Sequence, residues 1–349
     1  MNVYEANKII IPEGSVKRIL DLNNVVMWEK TSVDPYTPFY IENLSNEENT
    51  VSIIKTGELG VEIQKSYDGV NWTSMGTTDE TAITATIPKN GKIYLRSYNI
   101  YYDYDKHYSI SASSRHLVGG NILSLTLGSR FNGDRILPTS SSYSYAAWYD
   151  NLFKDDINLI YADDLLLPIK LSNREGFGSM VYMGGLFQGC TSLITPPELP
   201  TDIFASCYKD MFRGCTSLTV APMLPATTLD HSCYYGMFSG CTSLTVAPKL
   251  PATTLHIACY MDMFRGCTSL TVAPELPATV IREQCYYGMF SGCRNLTQVK
   301  CNAIDTSVFQ CTGGWLWGVE ASGIFYKNIN ASWVTGNDGI PEGWTVRNL

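Results

Sequence analysis

Long apolar runs are missing from this 349-residue chain. Without a stretch of about 18 or more apolar residues, no membrane-spanning helix is expected. Charge is sparse too. Only 17% of residues are Asp, Glu, Lys or Arg, against a usual share of about 25%. The formal net charge is −8, the wrong sign for a nucleic-acid partner, whose phosphates need a basic face. Histidine is scarce, with only His107, His116, His231 and His256. No glycine-rich phosphate loop, HExxH or GxSxG occurs, and no nucleophile stands beside a base. The expectation is a chain that is not an enzyme and takes no cofactor or metal. The start, "MNVYEANKIIIPEGSVKRIL", lacks the basic and apolar segments of a secretory signal, so export by the usual route is not expected. Cysteine is absent before Cys190.

What the chain has instead is repetition. Cys190, Cys215, Cys241, Cys267 and Cys293 recur at steps of 25, 26, 26 and 26, and Cys207, Cys233, Cys259, Cys285 and Cys311 at steps of 26. Only Cys301 stands outside. A fixed period in this range means a stacked repeat. One unit reads "MFSGCTSLTVAPKLPATTLHIACYMD" from Met237. "LTV" reads as a short strand with Leu244 and Val246 pointing inward. Pro248 ends the ladder, and "PKLP" continues as an extended arc. "TTLHIACYMDMF" has helical spacing, with Leu255, Cys259 and Met263 at i, i+4 and i+8. Gly240 and Gly266 mark the turn into the next strand. Stacking places columns of Phe, Leu, Val, Leu and Cys in a core no single coil buries alone. The cysteines are expected as buried free thiols, small and apolar.

A degenerate copy, "LFKDDINLIYADDLLLP" (152–168), precedes the clear ones, with Asp156 in the cysteine position. It reads as a capping coil. Its Asp155–Asp156 and Asp163–Asp164 pairs are carboxylates of the kind glycoside hydrolysis needs, but a solvated edge accounts for them. Residues 294–349 read as the opposite cap, closed by Trp315, Trp317, Trp333 and Trp344. The segments "YKDMFRG", "YYGMFSG", "YMDMFRG" and "YYGMFSG" alternate, and Asp210/Arg213 and Asp262/Arg265 fall at i, i+3. Recent duplication of a two-coil unit explains the alternation equally well.

These motifs, "MF-x-GC-TSL" followed by "CY-x-x-MF", resemble the BspA-like leucine-rich-repeat family of bacterial surface proteins over residues 150–312. "APxLPATTL" stands where many of that family carry an "LDLS" type strand and a "TSNVTNMS" type arc. The wider layout resembles virion proteins of gut-bacterial phages: an element like "SVKRILDLNNVVMWEK" (15–30), a β-rich domain, a step like "GGNILSLTLGSRF" (119–131), the repeats, and an ending like "IPEGWTV" (340–346). That resemblance implies a fibre, decoration or host-recognition component and brings no catalytic motif.

In the front half, residues 15–30 read as a hairpin around "LNN". Period-2 runs over 36–116, broken by "SYDGVNW" and "PKNGK", predict a β-sandwich with Trp72 in or beside its core. "YNIYYDYDKHYS" (98–109) suggests a glycan site, because aromatic rings stack on sugar faces and carboxylates accept hydroxyl bonds. Tyr101, Tyr102, Asp103, Tyr104 and Asp105 are its candidates, against the plainer reading of tyrosines packed at an interface. "SSSYSYAAWYD" (140–150) is a weaker case of the same.

The expected fold is mainly β with short helices: residues 1–34 as a β element and candidate virion anchor, 35–118 as a β-sandwich, 119–151 as a connector, 152–312 as a leucine-rich-repeat solenoid of 26-residue coils, and 313–349 as a C-terminal cap. On the solenoid, binding belongs to positions that vary between coils. Met223, Lys249 and Glu275 share one such column; Asp230/His231, His256/Ile257 and Arg282/Glu283 share another. The expected function is a phage virion protein for host or glycan attachment. Its expected partners are other virion proteins, through its N-terminal region, and a bacterial surface glycan or protein. The alternative is a BspA-like adhesin on the bacterial surface. A homo-oligomer fits such a role, although no heptad run specifies one.

Overall fold

The computed structural model describes residues 18–20, 26–29, 33–56, 61–78, 81–98, 107–136, 146–169 and 180–349. The chain divides into two compact units, Met1–Asp34 and Pro35–Leu349. In the first unit β1 (Arg18–Leu20) pairs antiparallel with β2 (Val26–Glu29).

The second unit begins with β3 (Tyr40–Asn43), β4 (Asn49–Thr56), β5 (Glu62–Ser66), β6 (Thr73–Thr77), β7 (Ile83–Ile87), β8 (Lys92–Ser97), β9 (His107–Ala112) and β10 (His116–Asn121). Buried and less buried residues alternate along β8 and over Asn49–Ile54 of β4, so one face of each is buried. In β8, Ile93, Leu95 and Ser97 are buried between Lys92, Tyr94 and Arg96. β4 is the centre of a three-stranded antiparallel sheet, β7-β4-β9. The remaining strands join a six-stranded sheet whose order is completed by β12 (Leu159–Leu166): β12-β10-β3-β8-β5-β6. Ile53, Ile63, Ile87, Ile93 and Val118 from the two sheets fall in one buried cluster. Trp72, expected in or beside the core, is half-buried with the Arg96 guanidinium over its ring at 4.1 Å.

β12 is the degenerate repeat copy, and it pairs in parallel with β10. One strand is therefore both the edge of the front sheet and the first coil of the repeat. The segment read as a connector also contributes to the core. Ile122, Leu123, Leu125, Leu127 and Tyr149 are buried there. Its four-residue helix α1 (Ser124–Leu127) and one 3-10 turn (Gly128–Arg130) are the only helical elements among the described residues. The chain is mainly β.

The segments expected as repeat helices are not helical. Between Ile257 and Cys267 the chain makes a ribbon of tight turns. Ala258, Asp262 and Gly266, each four residues apart, have φ of 54°, 54° and 73°. Met261, Met263, Arg265 and Cys267 donate their N–H back three residues, to Ala258, Tyr260, Asp262 and Phe264. The alternate N–H groups of Ala258, Tyr260, Asp262, Phe264 and Gly266 reach the next copy, at the carbonyls of Glu283, Cys285, Tyr287, Met289 and Ser291. Every donor in the ribbon is used, which answers the demand of buried backbone. The interior pairs Cys259–Tyr260 and Met263–Phe264 recur with period four, the spacing that imitates a helix.

Like residues lie on like residues. Phe187, Phe212, Phe238, Phe264 and Phe290 stack at centroid distances of 5.5, 5.7, 5.6 and 5.6 Å, with interplanar angles of 12° or less. Tyr208, Tyr234, Tyr260 and Tyr286 form a second column. All eleven cysteines are unpaired and buried. Cys215, Cys241, Cys267 and Cys293 each donate Sγ–H to the Phe carbonyl of the preceding copy, at 3.0–3.1 Å. Burial pushes the Cys241 and Cys293 thiols up to about 12, so they are inert filler.

The valine column is a correction. Val220, Val246 and Val272 are exposed, while Leu218, Leu244 and Leu270 are buried. Each copy makes only one isolated bridge here, such as Val220 to Val246. A single bridge between two bends does not carry strand parity onward, so the inward position after Leu244 is Pro248.

The two-coil alternation has a steric cause. One column of left-handed positions reads Asn151, Gly185, Asp210, Gly236, Asp262, Gly288. A Cβ on Gly236 would overlap Asp210 Oδ1, and one on Gly288 would overlap Asp262 Oδ1. Each Asp occupies the space where the next copy has no side chain. Gly236→Ala is expected to lower unfolding stability by about 2 kcal/mol or more, the left-handed backbone alone costing roughly 1–2. Asp210→Gly should recover the steric part when added, measured by urea denaturation of both variants. Strict additivity of the two changes would contradict the overlap.

Both ends of the repeat are closed. At the first coil Asp156 is not on a solvated edge. It is buried, with Oδ2 3.1 Å from His116 Nε2 of β10, and both side chains are 1% exposed. The other His116 ring nitrogen, Nδ1, lies 3.0 Å from the Ser114 carbonyl. Asp163 accepts from Thr195 Oγ1 and Asp164 from Tyr40 O–H. The short parallel pairs β11 (Ala146–Trp148) with β13 (Met180–Tyr182), and β14 (Gln298–Cys301) with β15 (Ile324–Lys327) and β16 (Thr345–Asn348), extend the same arrangement. At the C-terminal end Trp315 stacks on Trp333 at 5.2 Å and on Tyr286 at 6.2 Å. Trp315 and Trp344 are buried and Trp333 half-buried, but Trp317 is 61% exposed and joins the end only through its carbonyl, which accepts from Gly292 N–H at 2.7 Å.

Candidate ligand-binding face

The turn ribbon presents one polar face to solvent. Because its interior residues come in pairs every four positions, Lys209, Asp210 and Arg213 share the outward side of one copy, and Asp262 and Arg265 that of the copy two further on. Arg213 Nη1 lies 3.3 Å from Asp210 Oδ1, and Arg265 Nη1 3.4 Å from Asp262 Oδ1. In each pair the carboxylate recedes and the guanidinium projects. Asp210 and Asp262 are 17% and 13% exposed; Arg213 and Arg265 are 52% and 58% exposed.

Tyr235 sits between the pairs. Lys209 Nζ stands 5.0 Å from its ring centroid, and its carbonyl accepts from Asp210 N–H at 2.8 Å. Partial burial first, then the nearby Asp262 and Asp210, raise its phenol above the usual value; Arg213 and Arg265 act against them. Tyr287 repeats the position two copies later, half-buried, its carbonyl bound by Asp262 N–H. Burial raises Asp262, opposed by Arg265.

At the start of the same face lies a shallow groove of about 350 Å³. Gly184 and Gly185 open it by having no side chains. Asp150, Asn151 and Gln188 line it with Tyr182 on one side, and Ser206, Lys209 and Asp210 on the other. Its lining combines one aromatic ring with carboxyl, amide and hydroxyl groups.

The residues singled out from the sequence lie elsewhere. Tyr101, Tyr102, Asp103, Tyr104 and Asp105 fall outside the described residues. Met223 is 81% exposed, and Lys249 and Glu275 are exposed on the same side of successive copies. Glu275 Oε1 accepts from Lys300 Nζ at 2.7 Å, a contact that raises the Lys300 ammonium. Substituting Met223, Lys249 and Glu275 together by Ser is expected to change the melting temperature by no more than a few degrees, since nothing buried is removed. Unfolding of that variant would contradict the outward placement. His231 and His256 are both exposed, with ring centroids 6.1 Å apart.

The sequence reading missed the groove and the role of Tyr235. Asp150 closes the segment 140–150, read as a weaker glycan candidate, and only the fold brings it and Asn151 beside Gly184, Gly185 and Lys209. The alternation of "YKDMFRG" with "YYGMFSG" was the one available signal. Among the described residues no three His, Cys, Asp or Glu side chains converge as a metal site, and no helix is long and apolar enough to cross a membrane. Comparison with models of known families, with curated proteins and with solved structures gives no match to this chain.

Proposed function

We propose that the chain is a non-enzymatic structural protein of a phage virion, a head or tail fibre or decoration component. In this reading residues 152–312 are a leucine-rich-repeat solenoid of 26-residue coils. Its N-terminal region holds other virion proteins, and the solenoid is displayed for attachment to a bacterial surface glycan or protein. The protein is made in the host cytoplasm and ends on the virion.

One observation carries the reading: interior columns stay constant from copy to copy while the outward ones change, as Met223, Lys249 and Glu275 do. A fixed core with a varied face is what a repeat surface needs for recognition. The groove beside Tyr182, lined by Asp150, Asn151 and Gln188, adds a place for a sugar. The BspA-like adhesin is the second reading, favoured by the repeat signature itself.

Immunogold microscopy of purified virions tests the first against the second. Label on the particles, together with saturable binding of the purified chain to intact host cells and competition with virion adsorption, is the expected result. Label on uninfected bacterial cells, with none on virions, would replace the virion reading by the adhesin.

A further inference from the structure

The ribbon face carries a second period that the core does not. Phe and Cys columns repeat every copy, but the Asp–Arg pairs and the ribbon tyrosines repeat every second copy. Asp210/Arg213 with Tyr235, and Asp262/Arg265 with Tyr287, are two equivalent sets. Between and after them the arginine position is Ser239 and Ser291, and the aspartate position is Gly236 and Gly288. The Phe rings of three successive copies lie 5.7 and 5.6 Å apart, so sets two copies apart stand roughly 11 Å from each other, a span comparable with one disaccharide of a linear polysaccharide.

The chemistry of each set is also specific. The Asp holds the guanidinium through Nη1, which fixes its direction, and the exposed remainder is a planar donor fork matched to a carboxylate. The neighbouring Tyr235 and Tyr287 are half-buried beside the guanidinium forks. Lys209, over Tyr235, adds a further cation at the groove end. Each Asp–Arg pair is neutral in sum, but its guanidinium projects while its carboxylate recedes, so the outermost charge on the face is positive although the chain carries a net charge of −8.

We infer that the ribbon face binds a linear acidic polysaccharide with one carboxylate per disaccharide, each carboxylate docking on Arg213 or Arg265. The inference rests on the attachment reading above and names the ligand class for it. Two linked contacts on one polymer make the second intramolecular, so affinity depends on length.

The test uses the full chain and size-defined hyaluronan oligosaccharides as probes, in which a uronic acid alternates with a neutral sugar. Titration calorimetry should show binding that strengthens at least tenfold once the oligomer is long enough to place carboxylates on both arginines. Added salt should weaken it. Arg213→Ser and Arg265→Ser install the residue that the intervening copies carry, so the fold has a ready precedent. Each single variant should remove the length advantage, and the double variant should lose binding. Carboxyl-reduced hyaluronan should not bind.

Equal binding of the acidic and carboxyl-reduced oligomers, or unchanged binding by the double variant, would overturn the inference. So would a wild-type chain that binds none of these probes. If that chain still binds host cells, attachment stands and only the ligand class fails. Binding to neither would count against both.

Discussion

Phe238→Ala is expected to lower unfolding stability by about 3–5 kcal/mol, read by urea or thermal denaturation. The ring is fully buried and lies between Phe212 at 5.7 Å and Phe264 at 5.6 Å. Truncation therefore leaves a cavity with a stacked ring on each side, and loses the transferred apolar area as well. Partial collapse is resisted because both neighbours are held by the ribbon's hydrogen bonds to the next copy. The damage also disrupts the ring contacts with Phe212 and Phe264 in the neighbouring copies. Phe238→Leu should cost much less, since most of the volume stays. A loss under about 1 kcal/mol for the alanine variant would mean that the phenylalanine column is not a packed core.

The second large effect is at the junction of sheet and stack. Asp156→Ala is expected to lower stability by about 3–5 kcal/mol, because it leaves His116 buried without its carboxylate. His116→Ala should cost a similar amount for the converse reason. The two side chains are 3.1 Å apart and each 1% exposed. Replacing both, as His116→Leu with Asp156→Leu, should cost clearly less than the sum of the single changes, since no buried polar side chain is left without its neighbour. Chemical denaturation of the four proteins closes the cycle. Additive losses would show that the two groups do not depend on each other. In later copies the Asp156 position is cysteine, whose thiol needs only a carbonyl. At the first coil the neighbour is a histidine of the front sheet, and an acid replaces the thiol.

Much of the architecture was readable from spacing. The 26-residue period, the buried Leu, Phe and Cys columns and the short front strands follow from residue order, because stacking repeats whatever one unit does. The failures have a common origin. Helices and four-residue turn ribbons both put apolar residues at i and i+4, so Leu255, Cys259 and Met263 did not distinguish them. The left-handed positions did carry a signal, in the Asp210, Gly236, Asp262 and Gly288 series. Val246 was misplaced because alternation assumes a strand long enough to keep its parity. Asp156 looked solvated because its partner, His116, is 40 residues away in a different element. Of the candidate site, Asp210/Arg213 and Asp262/Arg265 showed in the sequence as i, i+3 pairs, and Asp150 as the end of the weaker aromatic segment 140–150. The groove needs Asp150 and Lys209 to face each other across two glycines, which residue order does not state.

The Asp-over-Gly column constrains how such a chain lengthens. A further glycine-type copy fits after any existing one. An aspartate-type copy placed directly on another aspartate-type copy would drive a Cβ into a carboxylate. Gene duplication that inserts whole pairs preserves the phase automatically, whereas single-unit insertions succeed in only one of the two flavours. Relatives of this chain with longer or shorter stacks are therefore expected to differ chiefly by 52 residues, and the arginine spacing on their surface would stay in register through such changes.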